Sequence, residues 1–127
     1  MQGIDPLKYY ERRGKHSETL VVKSIGKAMT TGNDQQVIAG VSGKRLRIMG
    51  WAAQSNTSTV GWYQFEDGSA GSDLASVLYA PASNSAQTQQ FPITDSGYFE
   101  TSTGTGLYAD IGTATVNLTI FYVEYTP

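Results

Sequence analysis

The sequence predicts an all-β fold, an antiparallel sandwich or barrel, preceded by a polar arm. Three observations carry that expectation. β-Branched and aromatic runs recur at intervals of roughly eight to twelve residues, each bounded by Gly, Pro, Asn or Ser. Fourteen Gly and eight Tyr, with no long run of Ala, Glu, Lys and Leu, favour turns and strands over helices. The opening residues lack apolar periodicity, and 127 residues suit one domain plus a tail.

The arm is read over residues 1–18, a first strand with its linking turn over 19–34, and the sandwich over 35–127. The arm holds Asp5-Pro6 and the basic cluster Arg12-Arg13-Gly14-Lys15-His16, with Ile4, Leu7, Tyr9 and Tyr10 as its apolar groups. So polar a segment cannot bury enough surface to offset its ordering entropy, so it orders by docking on something else. The first strand is expected at 19–25, followed by a turn that ends in Thr31-Gly32-Asn33-Asp34.

Eight strands are then expected: 35–39, 44–53, 59–65, 76–80, 87–91, 97–101, 107–111 and 114–125. In 44–53, strict alternation puts Leu46, Ile48, Gly50 and Ala52 on one face and Arg45, Arg47, Met49 and Trp51 on the other. The polar run 54–58 makes 59–65 the return strand of a hairpin. Pro81 and Pro92 stop the strands before them. In the last strand Val116, Leu118, Ile120 and Tyr122 point inward, yet Phe121, Val123 and Tyr125 give its end a second apolar face. Those three, with Met49 and Trp51, are the candidate oligomer interface, since interfaces favour Tyr, Phe, Trp and Met. The arm or a loop of the same chain is the alternative cover.

Charge is segregated. All nine Lys and Arg lie in the first 47 residues, where four acids leave a net of +5; residues 48–127 carry seven acids and no base, a net of −7. Such a split suggests a charged partner, for instance the acidic body of a neighbouring subunit, or else simply a β domain with few Lys.

Reactive chemistry is sparse. The absence of Cys excludes disulfides and thiolate sites. His16 is the single His, so no metal pair exists and no catalytic residue is assigned. Glu66 and Asp67 are adjacent and would point to opposite faces of a strand, which does not suit a glycosidase pair. Asp67, Ser69 and Asp73 offer oxygen ligands in a loop but do not follow the EF-hand spacing, so neither metal nor cofactor is expected. Gly104-Thr105-Gly106 lacks the Lys and the helix of a phosphate loop. The arm is too thinly charged for a nucleic-acid tail. No apolar run approaches the roughly 18–20 residues of a membrane span, and no leader-like apolar region opens the chain, so synthesis in a cytoplasm is expected. Trp51, Trp62 and Tyr63 could stack on sugar rings, although Trp62 packed between the sheets would serve the core instead.

Residues 35–125 resemble the small β-sandwich domains of tailed-phage virion proteins. The resemblance rests on the order of four stretches: Val41-Ser42-Gly43-Lys44-Arg45-Leu46-Arg47-Ile48-Met49-Gly50-Trp51, then Trp62-Tyr63-Gln64-Phe65-Glu66-Asp67-Gly68, then Gly104-Thr105-Gly106-Leu107-Tyr108, then the strand from Ala114 to Tyr125. It implies a jelly-roll-like sandwich of about eight strands that acts as a capsid decoration (cement) subunit. Such a subunit is often a homotrimer, bound on the virion surface to the major capsid protein or to neighbouring subunits. Tyr9, Tyr10, Arg12, Arg13 and Lys15 would then be the partner-binding residues of the arm. The resemblance carries no catalytic residues. The alternative is a carbohydrate- or receptor-binding module of a tail or head appendage, with a glycan as ligand.

Overall fold

The computed structural model describes residues 20–127. Nine strands form among them: β1 (Lys23–Met29), β2 (Gly32–Ile38), β3 (Arg45–Ser55), β4 (Gly61–Asp67), β5 (Leu78–Ala80), β6 (Gln89–Phe91), β7 (Phe99–Glu100), β8 (Leu107–Gly112) and β9 (Val116–Tyr125). They build two antiparallel sheets packed as the expected sandwich. One sheet has the order β1-β9-β3-β6, with β7 also on β3, and the other has the order β2-β8-β4-β5. With β6 and β7 counted as one interrupted strand, each sheet holds four. Consecutive strands mostly alternate between sheets, a jelly-roll-like winding.

Two expectations about connections are corrected. β4 does not return beside β3, because β3 pairs with β9 while β4 pairs with β8 and β5. Residues 56–60 form a corner between the sheets, tied down by Asn56 N–H donating to Thr115 O at 2.8 Å and Ser55 N–H donating to Pro81 O at 2.8 Å. Turn chemistry shows that the chain bends there but not which sheet it enters. The first strand also sits later than expected. Leu20–Val22 precede it, and β1 runs through Gly26 to Met29, pairing with β9 from Lys23↔Tyr122 to Met29↔Val116. As an edge strand with most side chains exposed, β1 has little apolar alternation to reveal it.

The core lies between the sheets. Leu46, Ile48, Trp51 and Ala53 of β3 face Tyr63, Phe65, Leu107, Ala109 and Ile111, with Val116, Leu118, Ile120 and Tyr122 beside them. Trp51 thus lies on the same side as Leu46 and Ile48, contrary to strict alternation. The register explains it. Ile48 is opposite Tyr122 and Gly50 is opposite Phe121, so Met49 is an extra residue, and this β-bulge reverses the parity of everything after it.

Met49 instead joins a second buried cluster with Val123, Tyr125 and Leu20, flanked by Val22 and Phe121. This corrects the interface expectation. Met49, Trp51, Val123 and Tyr125 are each 5% exposed or less within the single chain and have no surface to offer a partner. Phe121 stays half-buried. Leu20 and Val22, just before β1, supply cover from the chain itself.

The bulge also sets how close the neighbouring chain comes. A Cβ at Gly50 would lie 2.7 Å from Phe91 O and 2.9 Å from Ile93 N, so the segment linking β6 to β7 rests directly on bare backbone. We expect Gly50→Ala to cost about 1–3 kcal/mol in urea unfolding through overpacking. Gly26→Ala, where nothing lies within 4 Å, should change stability by about 0.5 kcal/mol or less. Equal effects at the two sites would contradict this account.

Candidate functional site

The outer face of the second sheet carries an acidic cluster. In β4, Tyr63 and Phe65 point into the core, so Gln64 and Glu66 point outward. In β8, Leu107, Ala109 and Ile111 point inward, so Tyr108 and Asp110 point outward. The pairs Gln64↔Asp110 and Glu66↔Tyr108 place Glu66 and Asp110 diagonally on neighbouring strands. Asp34 arrives from an irregular stretch of β2, between the paired residues Gly32 and Gln35, with a left-handed φ of 54°. Its N–H donates to Asp110 Oδ1 at 2.7 Å. One oxygen from each of Asp34, Glu66 and Asp110 then lies within 4.8 Å of the other two.

The loop after β4 closes the cluster. Asp67 N–H donates to Ser72 O and Leu74 N–H to Phe65 O, both at 2.9 Å. Ala70 N–H reaches Asp34 Oδ1, also at 2.9 Å, so the loop crosses β8 and encloses Glu66. Asp34 remains exposed and Asp110 half-buried, while Glu66 is only 6% exposed and its Oε1 has no hydrogen-bond partner. Burial leads, and the neighbouring carboxyls of Asp110 and then Asp34 add to it, pushing the Glu66 carboxyl from the usual 4.5 up to about 7. Every contribution has the same sign.

Sequence reasoning did not find this group. Its members are far apart in the chain, and local pattern pairs Glu66 only with its neighbour Asp67. Asp67 serves the framework instead: it accepts the Ser102 N–H at 2.8 Å and the Ser102 hydroxyl. Ser69 and Asp73 are exposed and are not members of the cluster.

The aromatic candidates fall into the core. Trp51 Nε1–H donates to Tyr63 Oη at 2.9 Å, and Tyr63 in turn donates to Gln89 Oε1. Trp51 stacks on Phe91 with centroids 4.3 Å apart and meets the edge of Phe65 at 5.3 Å. Neither Trp51 nor Tyr63 presents a face to a sugar. Trp62 is half-buried on the outer face, against Gly112, rather than between the sheets. At the other sheet, Ala52, Phe91, Ile93, Thr119 and Phe121, with the 4% exposed Trp51 at its floor, line a hollow of about 290 Å³. Tyr9, Tyr10, Arg12, Arg13 and Lys15 lie outside the described residues.

A second ionic group holds the far end of β3. Glu100 accepts from Arg45 at 3.0 Å, from Arg47 at 2.8 Å and from the Tyr125 hydroxyl. Burial acts to raise the Glu100 carboxyl, but these hydrogen bonds and the Arg47 charge outweigh it and hold it below 4.5. The same contact, with burial leading, pushes the Tyr125 phenol up to about 12.

These opposite shifts give stability two pH limbs. Glu100 contributes stability that is present above pH 4.5 and lost as pH falls through its lowered folded value. Glu66 binds its proton more tightly when folded, so stability declines as pH rises from 4.5 to about 7, by at most about 1.4 kcal/mol per pH unit. In urea titrations without divalent cations, Glu66→Gln should remove the upper limb and raise stability at pH 8 by about 1–3 kcal/mol. A Glu66→Gln profile parallel to wild type would contradict the assignment. No protein-family model and no curated protein matches this chain.

Proposed function

We propose that this chain is a non-enzymatic structural subunit of a tailed-phage virion, a capsid decoration protein on the shell surface. The observation that carries the reading is the strand order, β1-β9-β3-β6 against β2-β8-β4-β5. That architecture recurs in viral capsid and lectin domains. The body is tightly cross-braced, as a subunit fixed on a shell requires. Its cations serve that bracing: Lys23 pairs with Glu124 at 3.2 Å, and Arg45 and Arg47 pair with Glu100.

Attachment then falls to the leading segment, where Lys8, Arg12, Arg13 and Lys15 stand beside Tyr9 and Tyr10. Its partners are acidic groups of the major capsid protein or of a neighbouring virion subunit. Exposed ion pairs contribute about 0–1 kcal/mol each, so the two tyrosines and avidity from a homotrimer supply the rest. Because Met49, Trp51, Val123 and Tyr125 are enclosed, the trimer contact uses other surfaces. The lectin-like reading is weaker, since Trp51 and Tyr63 are buried.

Light scattering should give a particle of three 13.7 kDa chains. Co-sedimentation with undecorated shells of the same phage should weaken at least tenfold when residues 1–18 are removed. Undiminished binding by the truncated chain would refute the anchoring role, and the absence of binding by the full chain would refute the decoration role.

A further inference from the structure

We propose that Asp34, Glu66 and Asp110 form a binding site for a hard divalent cation, Ca²⁺ in preference to Mg²⁺. Geometry is the first argument. Ca²⁺ binds oxygen at about 2.3–2.6 Å, so two ligands on one ion lie at most about 5 Å apart, and it accepts irregular coordination, whereas Mg²⁺ demands a near-ideal octahedron and gives up its water reluctantly. The three carboxylate oxygens lie within 4.8 Å of one another, a span that one Ca²⁺ can bridge.

The second argument is independent of the clustering. Glu66 Oε1 is enclosed and without a partner in a side chain only 6% exposed. A buried carboxylate oxygen in that state is costly unless a donor or a cation meets it. Two more carboxylates stand nearby, and a divalent cation would satisfy all three together. The donors are all oxygen, without sulfur or imidazole, which selects a hard ion.

The two aspartates are also pre-oriented. Asp110 Oδ1 accepts the Asp34 N–H at 2.7 Å and Asp34 Oδ1 accepts the Ala70 N–H at 2.9 Å, and each carboxylate keeps its second oxygen. The exposed Asp34 side gives the ion its way in. Water or backbone carbonyls complete the coordination. The bound ion ties β2, β4, β8 and the loop 67–73 together across the outer face of the sheet.

The test is Ca²⁺ titration of the full chain at pH 7.5 by calorimetry, with thermal melts in parallel. One ion per chain should bind, and 5 mM Ca²⁺ should raise Tm by about 5 °C or more. Mg²⁺ should give the smaller shift. Glu66→Gln and Asp110→Asn should abolish the shift, Asp34→Asn should weaken binding at least tenfold, and Asp95→Asn, which removes an acid outside the cluster, should match wild type. If a core variant fails to fold, the exposed Asp34→Asn still decides the matter. Wild-type protein indifferent to Ca²⁺, or equal shifts in wild type, Asp34→Asn and Glu66→Gln, would overturn the proposal. The first result would leave a proton shared between Glu66 and Asp110.

Discussion

The architecture depends on one extra residue in β3. This strand lies between β9 on one side and β6 and β7 on the other. Without the bulge at Met49, alternation would carry Met49 and Trp51 to the same face. With it, Leu46 and Ile48 fill the core at one end and Trp51 and Ala53 fill it at the other, while Met49 keeps its outward place against Val123 and Tyr125. A single strand thereby supplies two apolar clusters. The aromatic cluster of Trp51, Phe65, Phe91 and Phe99 exists because Trp51 was turned inward. The opposite edge accommodates the same irregularity. Between β6 and β7 the chain leaves regular pairing, and Thr94 N–H and Tyr98 N–H donate to Met49 O and Ile48 O on either side of it.

Part of the charge segregation along the sequence resolves inside the fold. Winding brings β1 against β9 and β7 against β3, so early cations meet late carboxylates. Lys23 reaches Glu124, and Arg45 and Arg47 share Glu100. The Glu100 group is the stronger of these, because two guanidiniums and a phenol converge on one partly buried carboxylate. Among the described residues, three of the five cations meet carboxylates far away in sequence. The described body keeps five basic against eight acidic residues, and several of its cations are already engaged.

Most strands were legible, because β3, β4, β8 and β9 alternate strongly and Pro81 and Pro92 end β5 and β6. What was hidden has physical reasons. A bulge changes parity without leaving a residue signature, so simple alternation places Trp51 on the wrong face. The turn at 56–58 announces a bend, yet whether the chain returns beside β3 or crosses to the other sheet depends on long-range pairing with β8 and β9. The cluster of Asp34, Glu66 and Asp110 needs three strands in register, and no local pattern contains it.

Why residue 66 is a glutamate can be argued from its neighbour. Gln64 occupies the same outer face of β4 and donates from Nε2 to Ala75 O at 3.1 Å, fastening the far part of the loop with a neutral side chain. If position 66 served only to hold the loop, an amide would do it without the cost of enclosing a charge beside two aspartates. The backbone already holds the loop through Leu74 N–H to Phe65 O and Ala70 N–H to Asp34. A carboxyl at 66 therefore adds no needed fastening and imposes an electrostatic penalty, visible in its raised pKa. The proposed cation would offset that penalty, entering from the exposed Asp34 side.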